Sequence, residues 1–166
     1  MYCHDNIQRR VKEETSLIAE RRDAMTKDGQ IIDNFGILVM DEEYESMFRR
    51  LFAESGAEVM TAIPAMYVKN TPTDLTEVFN EFPDFSKDRD IALFLEMPAG
   101  FAPQYKKSID ILLQRFIIDY ICYRWFETKS PDDAATFFAR LRQTKEDILS
   151  LLNKRTGVFS RMPSFP

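Results

Sequence analysis

Between Ile109 and Phe126 the chain carries apolar residues that would cover nearly every side of a helix. A helix without a polar face is either enclosed by neighbouring elements or placed in a membrane. Polar residues interrupt this run too often for a membrane span, which needs about 20 apolar residues in succession. They are Asp110, Gln114, Arg115, Asp119 and Arg124. The sequence therefore predicts a central helix, from Gln104 to Thr128, inside a soluble and mainly helical domain.

Two charged residues of this helix, Arg115 and Asp119, are spaced to contact each other. They are four positions apart, so their side chains lie one turn apart on the same face. Such a pair allows charge on a mostly covered surface, because each group partly neutralises the other.

The composition favours one packed domain over residues 1–156. The chain has 166 residues, and its 14 Phe against 5 Gly indicate a dense core and not a linker. Its first residues are polar and charged, so no secretory signal peptide is expected. Cys3 and Cys122 are too few and too far apart for a disulfide framework, which predicts reduced thiols and an intracellular protein.

The first predicted helix covers residues 5–28, with Asp5 or Asn6 as its cap and Gly29 just beyond its end. Its apolar residues form one narrow seam, made of Ile7, Val11, Ile18 and Met25. A narrow seam buries little surface. We therefore expect this helix to lie across the domain surface or across a neighbouring subunit.

Two further helices are predicted on either side of the central one. Residues 41–62 begin with carboxylates, which suit the positive end of the helix dipole, and Pro64 stops the element. A Ser-Pro-Asp-Asp sequence starts the last helix, with the Ser130 side chain as its cap, and the helix runs to Lys154 or Arg155. The short connection makes it an antiparallel partner of the central helix.

Residues 74–97 change to the alternating pattern of strands. Ile91, Leu93, Leu95 and Met97 occupy every second position, after a polar turn at 83–89. The pattern predicts a β-hairpin inserted into the helical bundle. A lone hairpin is marginally stable in water, so it must pack on helices or on another molecule.

The last ten residues, 157–166, are predicted to form an extended tail, since Pro163 and Pro166 prevent a continuous helix. The tail contains Phe159, Met162 and Phe165, whereas disordered tails are normally poor in aromatic residues. Three interpretations stay open: the tail folds back on the domain, binds a partner, or is loose.

The net charge of −5 conceals an uneven distribution. Residues 41–96 carry 13 Asp and Glu against 5 Lys and Arg, which gives −8, while residues 104–161 carry 7 against 11, which gives +4. Either these are the solvated faces of ordinary helices, or the molecule has an acidic end and a basic end. In the second case, identical subunits attract each other head to tail and form a ring where the rotation closes.

No set of residues in the sequence indicates a catalytic, cofactor or metal site. The single histidine, His4, is expected in a frayed terminus, so the body lacks the usual neutral-pH base. Five isolated glycines exclude the phosphate-binding loops. The acidic residues of 41–45 are better explained as a helix start than as a cation site. Cys122 is expected to be a small buried hydrophobe, and an acidic chain does not favour sequence-specific binding of nucleic acid.

Four stretches between residues 41 and 155 follow one another in a distinctive order. They are DEEYESMFRRLF from Asp41, the predicted hairpin ending in LFLEMP, IDYICYRWFE from Ile118, and SPDDAATFFARL from Ser130. This order of elements resembles the head–tail connector, or adaptor, proteins of tailed bacteriophages. The long leading helix and the apolar tail are not shared by every member of that family.

The resemblance implies a homo-oligomeric ring, usually of twelve subunits, that binds the portal protein and other neck or tail proteins. DNA would pass through the ring without being read, and the protein would contact no membrane. The implied location is the virion neck, with the host cytoplasm as the place of assembly. Subunit contacts would come from the leading helix, the hairpin and the tail, at Val11, Ile18, Phe82, Phe85, Arg89, Phe159, Arg161, Met162 and Phe165.

Two other functions are compatible with the sequence. The chain could be a monomeric helical adaptor or regulatory protein that binds one partner through its tail. It could also be an enzyme that uses carboxylates, and a metal, near 41–45.

Overall fold

A computed structural model describes residues 2–25, 38–63, 93, 95, 97 and 100–154. Four α-helices lie within these residues: α1 His4–Met25, α2 Glu45–Ala62, α3 Lys106–Lys129 and α4 Pro131–Leu152. Short 3-10 turns at Glu42–Tyr44 and Pro103–Tyr105 lead into α2 and α3. The prediction of a mainly helical bundle is confirmed.

The third helix, α3, is enclosed as its sequence predicts, because α1, α2 and α4 all pack against it. Trp125 and Phe126 have no exposed surface. Its buried residues are Ile109, Leu113, Phe116, Ile117, Ile118, Asp119, Ile121, Cys122, Trp125 and Phe126. A helix buried on this scale depends on its neighbours and not on its own helix propensity.

The fourth helix runs antiparallel to α3, as predicted. Near the connection the rings of Phe126 and Phe137 stack at 5.6 Å between centroids, and at the far end Lys154 Nζ lies 4.9 Å from the Tyr105 ring. Ser130 is the N-cap residue, as predicted, but its hydroxyl makes no hydrogen bond to the helix backbone. It donates to Asp133 instead and accepts from Arg22, so it joins two helices.

The first helix, α1, runs in the same direction as α3. At its start the Tyr2 hydroxyl donates to Asp110 Oδ1 at 2.9 Å, and at its end Arg22 donates to Asp133 beyond the end of α3. The helix already begins at His4, so Asp5 and Asn6 lie in its first turn and do not cap it from outside. The predicted end near Gly29 falls outside the described residues.

The expectation that Val11 and Ile18 meet another subunit does not fit the fold. Val11 has no exposed surface and Ile18 retains 8%, because both face the core of their own chain. The apolar seam is also wider than predicted, since Thr15 and Ala19 are completely buried beside it. Of the two open alternatives, α1 therefore lies across its own domain.

The expectation of a frayed terminus at His4 is wrong. His4 retains 4% of its exposed surface, and its ring makes edge contacts with Phe48 at 5.0 Å and Phe52 at 5.5 Å. The first turn of α1 is therefore held against α2 by aromatic packing.

The second helix runs antiparallel to α3. At one end Tyr44 contacts Trp125, with 4.7 Å between the ring centroids, and at the other Val59 and Ile63 meet Leu113. The predicted end at residue 62 is confirmed.

The segment 38–40 lies between α1 and α3 and connects them. The Trp125 indole donates to the Leu38 carbonyl at 2.7 Å, and the Met40 amide donates to Thr15 Oγ1 at 3.2 Å. Both bonds are buried, so they satisfy backbone groups that water cannot reach.

Most of the predicted hairpin lies outside the described residues, and so does the whole tail. Leu93, Leu95 and Met97, three of the alternating positions, are half-buried and pack against the core. The remaining predicted contact residues are outside the described part: Phe82, Phe85, Arg89, Phe159, Arg161, Met162 and Phe165.

Replacing Arg22 with Ala should lower the free energy of unfolding by about 1–2 kcal/mol, because the side chain ties α1 to α4. The substitution removes hydrogen bonds to Asp133 Oδ2 at 3.0 and 2.7 Å. The neighbouring Arg21 is exposed, and its replacement with Ala should change stability by less than about 0.5 kcal/mol. Urea denaturation measures the stability of both variants. Equal losses would show that the hydrogen bonds of Arg22 to Asp133 do not stabilise the fold.

Candidate functional site

An open cleft of about 450 Å³ lies between α1, α3 and α4. Four arginines and three carboxylates line it, together with two isoleucines. The lining residues are Arg9, Arg10, Glu13, Glu14, Ile111, Arg115, Ile118, Asp119 and Arg140. We call it the arginine cleft, because basic side chains outnumber acidic ones in a chain that is acidic overall.

Three of the arginines form loose ion pairs across or along the cleft. Arg9 lies 3.6 Å from Glu13, Arg140 lies 3.5 Å from Glu14, and Arg115 lies 3.8 Å from Asp119. The predicted Arg115–Asp119 pair is therefore present. The Arg9–Glu13 and Arg140–Glu14 pairs are exposed, and pairs of that kind contribute about 0–1 kcal/mol.

Arg10 differs from the other three arginines, because it has no ion-pair partner within the part of the chain that the structure describes. A guanidinium carries five N–H donors in a planar fork that matches a carboxylate. None of the four guanidinium groups makes a hydrogen bond to another described residue. Arg140 lies over the Phe137 ring at 5.1 Å, and the side chains of Arg9 and Arg115 are more than half exposed.

Asp119 is the buried carboxylate of the cleft. Its side chain is 4% exposed, and Oδ2 has no hydrogen-bond partner among the described residues. Burial raises the pKa of Asp119 to about 6, and the negative charge of Glu14 acts in the same direction. Arg115 and Arg140 oppose this rise. At neutral pH the carboxylate is mostly ionised, held by guanidinium groups that are not hydrogen-bonded to it.

The acidic residues of α2 lie on another side of the molecule. Val59 and Ala62 line a small apolar pocket together with Leu113 and Phe116, on a side of α3 roughly opposite Ile111 and Arg115 by helical geometry. Glu45 pairs with Arg49, and Glu54 lies 3.6 Å from Arg50.

Glu58 is exposed, and no cation pairs with it in the described ranges. Four arginines against three carboxylates give the cleft a charge of +1, while the exposed Glu58 lies on α2, which packs on another side of α3.

Asp41 takes part in beginning a helix. Asp41 Oδ1 accepts a hydrogen bond from the Glu43 amide at 3.1 Å, as in a helix start. Across the described residues, no group of three or more metal-binding side chains comes together. No helix found there has the length and apolar composition that crossing a membrane requires.

The two cysteines should differ strongly in reactivity. Cys3 is exposed, whereas Cys122 is completely buried and its pKa is raised by that burial. Because the thiolate is the reactive form, a thiol reagent should modify one cysteine per folded chain and the second only after unfolding. Mass spectrometry of the labelled protein checks this, and rapid labelling of both thiols in the native state would contradict it.

Only part of the cleft has a local signal in the sequence. The four-residue spacing of Arg115 and Asp119 predicts their contact, but Arg9 and Arg10 look like one of several dispersed basic pairs. Arg140 comes from a helix more than a hundred residues away from them. No short-range pattern brings these side chains together.

Comparison with models of known protein families, with characterised proteins and with solved structures gives no match to this chain.

Proposed function

We propose that this chain is a structural, non-catalytic subunit that assembles with copies of itself into a ring, as a head–tail connector of a tailed bacteriophage. The observation that carries the proposal is the placement of the arginine cleft and of α2, with its exposed Glu58, on different sides of α3. Identical subunits with complementary surfaces on different sides associate head to tail, and such contacts form a ring where the rotation between subunits closes.

The described body buries the apolar seam of α1 in its own core, so that seam is not available to a neighbouring subunit. The remaining contacts to neighbours, to the portal and to other neck proteins are assigned to the predicted hairpin and tail. DNA would pass through the ring without sequence-specific contacts.

Mass photometry of the full chain, over a range of concentrations and salt, tests the proposal. We expect a ring-sized species, of twelve subunits if the resemblance is right, that weakens as salt screens the charged surfaces. The same measurement is made with the portal protein encoded in the same genome. A chain that stays monomeric both alone and with portal rings would be better described as a single-partner adaptor, and the proposal would be abandoned.

A further inference from the structure

We infer that the arginine cleft of one subunit receives the acidic face of α2 from the next, a contact that rests on the proposed ring. The face is defined by Glu54, Ala57, Glu58 and Thr61, which follow one side of α2 and are partly or fully exposed. We call it the acidic face.

Charge complementarity identifies the occupant of the cleft. Arg10 and Glu58 are oppositely charged, and each lacks an ion-pair partner within the described part of its own chain. The carboxylate of Glu54 forms a loose ion pair with Arg50, at 3.6 Å. It can therefore still accept a hydrogen bond from a second guanidinium. Glu54 and Glu58 are one helical turn apart, about 6 Å along the axis, so both can approach the same cleft.

The apolar residues of the cleft and of the acidic face also suit a contact between them. Ile111 lines the cleft and is 55% exposed, which is unusual for an isoleucine beside four arginines. Between the two glutamates α2 presents Ala57, whose small side chain allows close approach to such a residue. The contact would combine an apolar centre with a charged rim, the usual composition of a specific interface.

The positions of the two surfaces also determine the type of contact. Because the cleft and the acidic face lie on different sides of α3, one chain cannot place both of them against the same neighbour. Each subunit therefore offers its cleft to one neighbour and its acidic face to another, which is a heterologous contact.

Charge reversal tests the contact on the full chain. R10E and E58R each place like charges opposite each other, and each should weaken self-association at least about tenfold. Neither substitution breaks an ion pair within the described part of the chain, so the fold should be retained. In the double variant R10E/E58R the charges are opposite again, and association should return towards that of the unmodified chain.

Matched controls make the same charge changes elsewhere. Arg142 and Glu146 are exposed on α4 and do not line the cleft. R142E and E146R should leave the oligomer distribution unchanged, and circular dichroism should show equal helix content in all variants.

The outcomes separate the contact from the ring. Suppose that the unmodified chain assembles but R10E associates as strongly as R142E, or that the double variant associates no more strongly than the single variants. The proposed contact would then be wrong, while the proposed ring would be unaffected. If the unmodified chain is monomeric under every condition, the ring itself is wrong.

Discussion

Replacing Trp125 with Ala should lower the free energy of unfolding by about 5 kcal/mol, the largest effect of any single substitution considered for this chain. Two losses add up to this value. The first is the cavity left by a side chain with no exposed surface. The second is the loss of the hydrogen bond from the indole to the Leu38 carbonyl, at 2.7 Å. Without it a buried carbonyl acceptor has lost this donor.

The position of Trp125 explains why the loss should not remain local. The ring lies against Tyr44, which leads into α2, while Lys129 Nζ lies 3.4 Å from its centroid. Its hydrogen bond fixes the segment 38–40, and Met40 in turn donates to Thr15 of α1. A single side chain thus connects α3 to α2 and, through the segment, to α1.

Thermal and urea unfolding followed by circular dichroism measure the effect, since the variant has lost the only tryptophan of the chain. A loss of this size corresponds to a fall in Tm of roughly 10–20 °C. Trp125→Phe, which keeps an aromatic ring but not the donor, should cost about 2 kcal/mol. Phe138, which is 45% exposed, provides the control: its replacement with Ala should cost less than about 1 kcal/mol. Similar losses in all three variants would contradict the central position assigned to Trp125.

The helices could be predicted from the sequence because their signals are local. The apolar run of α3 and the Ser-Pro start of α4 place these elements within a few residues of their observed bounds. The residues that the prediction misplaced depend on tertiary contacts. His4 is ordered by Phe48 and Phe52, which are more than forty positions away, and no pattern around His4 reports that.

The burial of α1 shows a second limit of sequence patterns. Counting only strongly apolar residues gives a narrow seam through Val11 and Ile18. The buried face also uses Thr15, whose hydroxyl accepts from Met40 and so allows a polar residue in the core. Hydrophobic periodicity underestimates a face of this kind, and it led to the expectation of subunit contacts there.

The cleft could be predicted only in fragments. Within α3, Arg115 and Asp119 are joined by helical geometry alone. Their proximity to Arg140 and Glu14 depends on how three helices pack, and the burial that raises the pKa of Asp119 arises from the same packing.

Replacing Asp119 with Asn should stabilise the chain at about pH 8 by up to about 3 kcal/mol, and the gain should disappear on acidification. Burial raises the pKa of this carboxyl from 3.8 to about 6, so the folded chain binds a proton there more tightly than the unfolded chain. The stability that this proton contributes is fully present below about pH 4 and is lost as the pH rises through about 6. The asparagine side chain resembles the protonated acid at every pH, so the variant should lack this loss.

Urea unfolding of both proteins between about pH 4 and pH 8 measures the difference as a function of pH. Asp147, which is exposed on α4, supplies the control, because its replacement with Asn should change stability by less than about 0.5 kcal/mol. The charged groups facing Asp119 are Arg115 on its own helix, Glu14 on α1 and Arg140 on α4. If D119N instead destabilises the chain most at about pH 8, attraction by the two arginines outweighs the burial of the charge. The carboxylate would then stabilise the fold. Its pKa in the folded chain would lie below the ordinary value for Asp and not above it.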